Sequence, residues 1–389
     1  MAITTNSTPS VAVVQTREQQ ATRTIFFIAG LAMSSWAPLI PFVKAQLDIN
    51  DVALGLLLFC IAAGSMLIMP FTGRLIQKFG CRRLIILSAL GLAVDLPLLM
   101  LFDQRGAMVL ALLLFGTFNG MLDVTMNAHA VVIEQESEQA KMSGFHGFYS
   151  IGSIAGAGSV SFFLWLGATP LLSVCAITVF LALLLAVSSR NILPKQSGTT
   201  GGKGQTLRAL SHPPIMVIAV LCFFVFMLEG AMLDWSAVFM TSERGMSASL
   251  AGFGYTLYSI TVTLGRMSGD RLVSALGGKL VLLFGCATAC AGIVLLVFVG
   301  WGALPGFVLV GAGLSNIIPV LFTSAGNQPG ISADFAIPAI TLFGYSGLLA
   351  GPALIGFIAH HIGLSLTFSG ALLLLLFVVL GAPFISCQR

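Results

Sequence analysis

Residues 170–189 read PLLSVCAITVFLALLLAVSS, and residues 190–214 continue RNILPKQSGTTGGKGQTLRALSHPP. The first stretch has no charged residue and is long enough, as a helix, to cross the hydrocarbon core of a bilayer. The second is basic, rich in Gly, Ser and Thr, and closed by Pro213 and Pro214, which is linker chemistry. It lies near the midpoint of a chain of 389 residues. Working outward, the apolar pattern recurs six times before the linker and six times after it. The fold expected is therefore an all-α membrane protein of twelve transmembrane helices in two pseudo-symmetric six-helix bundles. The expected divisions are a disordered tail at 1–21, an N-terminal bundle at 22–189, a linker at 190–213 and a C-terminal bundle at 214–385. Two similar bundles on a linker is the layout of transporters that rock about a central site.

Composition agrees. Hydrophobic residues make up 57% of the chain and charged residues 8%, with a mean hydropathy of +1.00. Soluble domains carry roughly a quarter charged residues. The net charge of +4 implies no nucleic-acid partner, because the basic residues lie at helix ends and form no patch. The cysteines are scattered, and Cys286 and Cys290 have no neighbouring His or second Cys pair to complete a metal site. No metal or cofactor is expected. Neither a catalytic constellation nor a phosphate-binding loop is evident, so the chain does not read as an enzyme. No cleavage site follows a short apolar core, and the first apolar segment reads as an uncleaved anchor.

Basic residues also give an orientation. With the amino terminus in the cytoplasm, inside loops and tails hold Arg17, Arg23, Arg74, Lys78, Arg82, Arg83, Lys141, Arg190, Lys195, Lys203, Arg208, Arg271, Lys279 and Arg389. Outside loops hold only Lys44, Arg105 and Arg244. The positive-inside rule then puts both termini in the cytoplasm of a bacterial inner membrane.

The two halves echo each other. GRLIQKFGCRR begins at Gly73 after the second helix, and GRMSGDRLVSALGGK begins at Gly265 after the eighth. GSIAG at 152–156 in the fifth helix is matched by GLLAG at 347–351 in the eleventh. On the first pair of loops the chain resembles the major facilitator superfamily. The residues that carry the resemblance are Gly73, Arg74, Lys78, Gly80, Arg82 and Arg83, with a degenerate partner at Gly265, Arg266, Gly269, Asp270 and Arg271. That family's loop usually has an acid where Gln77 stands. Further strings are similar to a bacterial branch distantly related to the fucose permease. They are SSWAP at 34–38, Gly120 through Asp123 to Asn127, HGFYSIGSIAGAG at 146–158, EGAMLDW at 229–235 and GYSGLLAGPALIG at 344–356. The resemblance implies alternating access by a single chain; substrates in such families include sugars, organic anions, nucleosides and drugs.

Charges inside a bilayer are costly and so mark function. Four acids fall well inside expected spans: Asp95, Asp123, Glu229 and Asp234. No Lys or Arg is expected near mid-span. Desolvation of an acid without a basic partner disfavours its charged form, which is what a carrier of protons needs. Asn119, Asp123 and Asn127 fall at i, i+4 and i+8, one polar stripe on the fourth helix that serves either a wet cavity or a ladder between helices. Glu229 lies nearer mid-span than Asp234, which approaches the outer leaflet beside Trp235. His146 opens the fifth helix with Tyr149 on the next turn, placed to titrate or to cap. Trp36, Tyr255, Tyr258, Asn316 and Tyr345 complete a candidate cavity lining.

Arg266 and Asp270, four apart at the inner end of the eighth helix, read as a gate or lock pair along with Gly73, Arg74, Lys78, Gly80, Arg82 and Arg83. Gly351-Pro352 resembles an antiporter motif that normally lies in the fifth helix, where here Ala157 follows Gly156. The leading expectation is proton-coupled transport of a small polar organic solute by a monomer. The runner-up is proton-driven export of amphipathic drugs or metabolites.

Overall fold

A computed structural model describes residues 11–137, 142–193, 210–331 and 333–384. Most of the expected linker lies outside the described residues, as do Lys141, Lys195, Lys203, Arg208 and Arg389. Among the described residues the secondary structure is helical throughout. The first six spans are α1 (Val11–Ser35, continued by Ala37–Leu39 and Ile40–Gln46), α2 (Asp51–Phe79), α3 (Cys81–Leu101), α4 (Arg105–Ser137), α5 (Met142–Trp165) and α6 (Pro170–Ser188). The others are α7 (Pro213–Ser242), α8 (Phe253–Leu276, led in by Ala248–Ala251), α9 (Gly278–Phe298), α10 (Ala303–Leu314 and Ile317–Gly326), α11 (Ala333–Ile362) and α12 (Leu364–Gly381). Eleven are long and apolar enough to cross a membrane. The twelfth, α8, is long enough at 24 residues, but Arg266, Asp270 and Arg271 make it more polar than the rest.

One boundary differs from the sequence reading. The first helix begins at Val11, so residues 11–21 are helical where a disordered tail was expected. VAVVQTREQQA has no Gly or Pro to stop a helix, and the turns beyond the bilayer simply continue it.

Packing follows the small residues. α1 pairs with α5 and α2 with α4, while α7 pairs with α11 and α8 with α10. The pattern of the first half repeats in the second with an offset of six spans. Glycines set these crossings: Gly152 lies against the Phe27 carbonyl of α1, and Gly347 against the Phe223 carbonyl of α7. Without a hydrophobic drive between helices in lipid, such close backbone approach supplies much of the association. The two echoing loops share a geometry as well. Gly80 and Gly277 both have positive φ (80° and 78°) and both donate their N–H to the residue four back, Ile76 and Val273, at 2.8 Å. A residue with a Cβ would be strained at either position.

Prolines leave carbonyls without a helical partner, and tertiary contacts satisfy them. Pro97 cannot bond to the carbonyl of Ala93, which instead accepts from Thr178 Oγ1 of α6 at 2.9 Å. Asp95, two residues before this proline, is only 4% exposed.

The halves meet through α2 against α11 and α5 against α8. Contact is tight on the face away from the termini. Gly55 of α2 abuts the Pro352 carbonyl, and Gly252, just before α8, abuts Ser161 and Pro38. Towards the termini the same helices part, and a Cβ added at Gly73, Gly144 or Gly147 meets nothing within 4 Å. The molecule is closed on the face away from its termini, called the outer face from this point, and open on the side of its termini.

Candidate functional site

Beneath the outer seal lies a cavity of about 170 Å³ where α5, α7, α8 and α11 converge. Its walls bring hydroxyls together: Tyr149, Ser150 and Ser153 from α5, and Tyr255, Tyr258, Ser259 and Thr263 from α8. Glu229, Gly230 and Leu233 of α7 and Leu348 of α11 complete it, with Arg266 on the side of the termini. The Tyr255 and Tyr258 rings lie 5.9 Å apart. The Tyr255 hydroxyl lies near Ser259 and, across the halves, near Ser34 of α1.

The chief electrostatic feature corrects two expectations. Arg266 Nη2 donates to Glu229 Oε1 at 3.0 Å, an ion pair between α7 and α8. Glu229 therefore has a basic partner, and a Lys or Arg does reach mid-span. Arg266 is a cavity residue and not the gate residue expected. The side chain of Asp270, its expected partner, lies outside the described residues. The physical reason is register. Asp270 stands as far before Gly277 as Gly73 stands before Gly80, so Arg271 is the counterpart of Arg74. Arg266 lies more than a turn deeper, at the level of Glu229.

What holds Arg266 there is a break in α10. Pro319 cannot donate to the carbonyl of Ser315, and the helix is interrupted at Ser315 and Asn316. That carbonyl faces Arg266 Nε at 3.4 Å. Asn316 Nδ2 donates to the Gly265 carbonyl at 3.0 Å and to Ser315 Oγ at 3.0 Å. A Cβ at Gly265 would collide with Ser315, and one at Gly269 with the Asn316 amide. Asn316, expected in the cavity lining, is instead a clasp between α8 and α10. The pairing of Gly265 and Gly269 with Asn316-x-x-Pro319 was the available signal for it.

The other expected residues separate into three places. Asp123 is half-buried on α4, accepting from Asn127 Nδ2 at 3.2 Å along its own helix. It lies within electrostatic range of Tyr149 and Tyr345, and Asn119 and Asn127 are half-buried on the same stripe. Tyr345 packs on Phe226 at 5.4 Å and remains 40% exposed. His146 stands at the open mouth, edge-on to Phe26 at 5.1 Å and within electrostatic range of Arg266.

Trp36 and Asp234 lie in the outer seal and not on the cavity wall. Trp36 is fully buried and Asp234 is 7% exposed. The indole N–H groups of Trp36 and Trp235 and the hydroxyls of Ser161 and Ser236 have no hydrogen-bond partner among the described residues. Sequence reasoning missed Ser34, Ser153, Ser259 and Thr263, since a single Ser or Thr in a membrane helix commonly bonds its own backbone.

Of the gate candidates, Gly80 turns the chain between α2 and α3, and Pro352 meets Gly55 at the outer seal. A Cβ added at Gly351 would meet Met227 Cγ of α7 at 3.2 Å. Arg74, Lys78, Arg82 and Arg83 flank Gly80 on the side of the termini, and Lys78 lies over the Phe79 ring at 5.2 Å.

The comparisons with known proteins fit this arrangement. Residues 24–333 match the model of the Major Facilitator Superfamily. The chain is 49% identical over 367 residues to an uncharacterized MFS-type transporter of Yersinia pestis, covering 94% of this chain and 95% of that one. It is 30% identical to the membrane protein MosC of Rhizobium meliloti, over 93% of this chain and 87% of that one. Among solved structures, the nucleoside transporter NupG superposes with a TM-score of 0.72 at 13% identity, covering 95% and 98%. The E. coli fucose:proton symporter FucP gives a TM-score of 0.64 at 18% identity, over 95% and 98%. A multi-pass helical fold, a sealed outer face above a polar cavity and a match along most of its length together show that this chain belongs to the Major Facilitator Superfamily.

Proposed function

We propose that this protein carries a small polar organic solute across the bacterial inner membrane by alternating access, coupled to protons, with both termini in the cytoplasm. The observation that carries the reading is the Arg266–Glu229 pair, set among hydroxyls where the two halves meet. Glu229 and Asp123 are the proton-handling candidates, because both are membrane-embedded acids within electrostatic range of Tyr345. Tyr149, Tyr255 and Tyr258 supply hydroxyl donors and aromatic faces to the solute. Glycine-mediated contact at the outer seal lets the halves part there without tearing side chains out of a core.

The cavity's hydroxyl-rich lining favours a polar cargo. A cation-selective drug exporter would also avoid placing a guanidinium in its site. The solved relatives whose titles name a nucleoside transporter and a fucose:proton symporter are in keeping with a polar cargo. One chain encloses the whole pathway, so a monomer suffices.

Thermal unfolding of the detergent-purified protein against sugars, organic anions, nucleosides and lipophilic cations tests the reading. A ligand of the folded state raises the midpoint by mass action. Stabilisation by one polar class, lost in Asp123→Asn, is the expected result. Stabilisation by lipophilic cations alone contradicts it and favours drug export.

A further inference from the structure

We infer that the transported solute carries a carboxylate or an equivalent single negative charge, and that this group replaces Glu229 as the partner of Arg266. The inference rests on the proposal that the cavity is the transport site. Arg266 is the only Lys or Arg among the described cavity-lining residues. Its guanidinium is incompletely used. Nη2 has one bond to Glu229, Nε reaches the Ser315 carbonyl only at 3.4 Å, and Nη1 has no partner among the described residues. The side chain is 40% exposed against 17% for Glu229, so a free edge of the fork faces the cavity. A guanidinium presents parallel N–H donors that match a carboxylate at two points.

Charge balance supplies the logic. A proton placed on Glu229 dissolves the ion pair and leaves Arg266 uncompensated. Closing the cavity around an unpaired charge in low dielectric is strongly disfavoured. An anionic solute restores neutrality, whereas a neutral one does not. The other groups that face the pair cannot take over the role. Tyr255 and Tyr258 of α8, Cys222 of α7, and Tyr149 and Tyr345 from α5 and α11 ordinarily stay neutral at physiological pH. Asp123 on α4 makes its side-chain bond to Asn127 of its own helix and no ion pair with Arg266 among the described residues. His146 and Arg23, which lies over Phe148 at 5.6 Å, place basic groups on the route in from the open side. The cargo and the proton then cross together as a neutral pair, one proton on Glu229 for one anion on Arg266.

The test is titration calorimetry of the detergent-purified protein with three carboxylates, glycerate, gluconate and glucuronate, and their neutral counterparts glycerol, glucitol and glucose. Running it in two buffers of different ionisation enthalpy counts the protons taken up on binding. At least one carboxylate is expected to bind tenfold or more tighter than its neutral counterpart. About one proton should enter with it, and affinity should fall as pH rises. In Glu229→Gln the anion should bind with no proton uptake and no pH dependence. Arg266→Gln should weaken binding roughly tenfold or more; because it leaves Glu229 unpaired, Glu229→Gln serves as the independent variant. Neutral compounds binding as tightly as carboxylates, proton uptake unchanged in Glu229→Gln, or no carboxylate binding would each overturn the inference. Solute counterflow in liposomes separates the two claims: counterflow of a neutral member alone leaves the transporter reading standing while the anion assignment falls.

Discussion

Replacing Gly55 by alanine should open the outer face. An ideal Cβ at Gly55 stands 2.5 Å from the Pro352 carbonyl oxygen, 3.2 Å from the Gly356 Cα and 3.3 Å from the Ala353 Cα. A carbon meets a carbonyl oxygen comfortably at about 3.3–3.6 Å, so α2 and α11 must separate by roughly 1 Å. All three obstacles are backbone atoms of one packed helix, and none can rotate aside. Overpacking of this kind costs about 1–3 kcal/mol. The cost falls on the state in which α2 and α11 touch at the outer face, and it is absent once they part. A bias of that size changes the ratio of closed to open outer faces by about 5–150-fold. Spin labels at Gln104 and His361, both exposed at the outer ends of opposite halves, report the distance in a background with the native cysteines replaced. The longer-distance population should grow in Gly55→Ala. Gly73→Ala on the same helix, where the new methyl meets nothing within 4 Å, should leave the closed outer face populated. Loss of thermal stability in Gly55→Ala without any separation of the labels would refute the reasoning.

Other expectations can be checked by thermal unfolding. Glu229→Gln and Arg266→Gln should each destabilise by about 1–3 kcal/mol, less than a fully buried pair because Arg266 is partly exposed. The double variant should cost less than the sum, and strict additivity would mean that the two residues are not coupled. Asn316→Ala should cost about 1–2 kcal/mol by removing the clasp to Gly265, and a neutral result would show that α8 and α10 do not depend on it. Ser236→Ala removes a buried hydroxyl that has no partner among the described residues. It should be neutral or stabilise by about 1 kcal/mol, and a clear loss of stability would reveal a bond not accounted for.

The spans were legible because bilayer thickness imposes a length on every apolar run, and that signal survives any uncertainty about packing. The pairing of α1 with α5 and of α7 with α11 was half-legible in GSIAG and GLLAG, whose glycines mark close crossings. Arg266 was misplaced because the eye aligns Gly265-Arg266 with Gly73-Arg74. The positive φ at Gly80 and Gly277, invisible in sequence, sets the true register. Glu229 was picked out as an embedded acid, but its partner lies on another helix, and helical periodicity says nothing about contacts between helices. Trp36 and Asn316 were grouped with the cavity by chemistry alone. Burial at the outer seal and a bond to the Gly265 carbonyl place them elsewhere. Both follow from tertiary geometry, although Pro319 and the two glycines of α8 hinted at the second.

The most direct test of coupled transport through this cavity is proton movement in proteoliposomes that carry a trapped pH indicator. With no initial pH gradient, each of the six carboxylates and neutral compounds is added outside in turn. The account predicts that at least one solute enters and acidifies the lumen as it does so, and that Glu229→Gln abolishes the acidification. Solute entry with no change in luminal pH, or acidification that persists in Glu229→Gln, would contradict it.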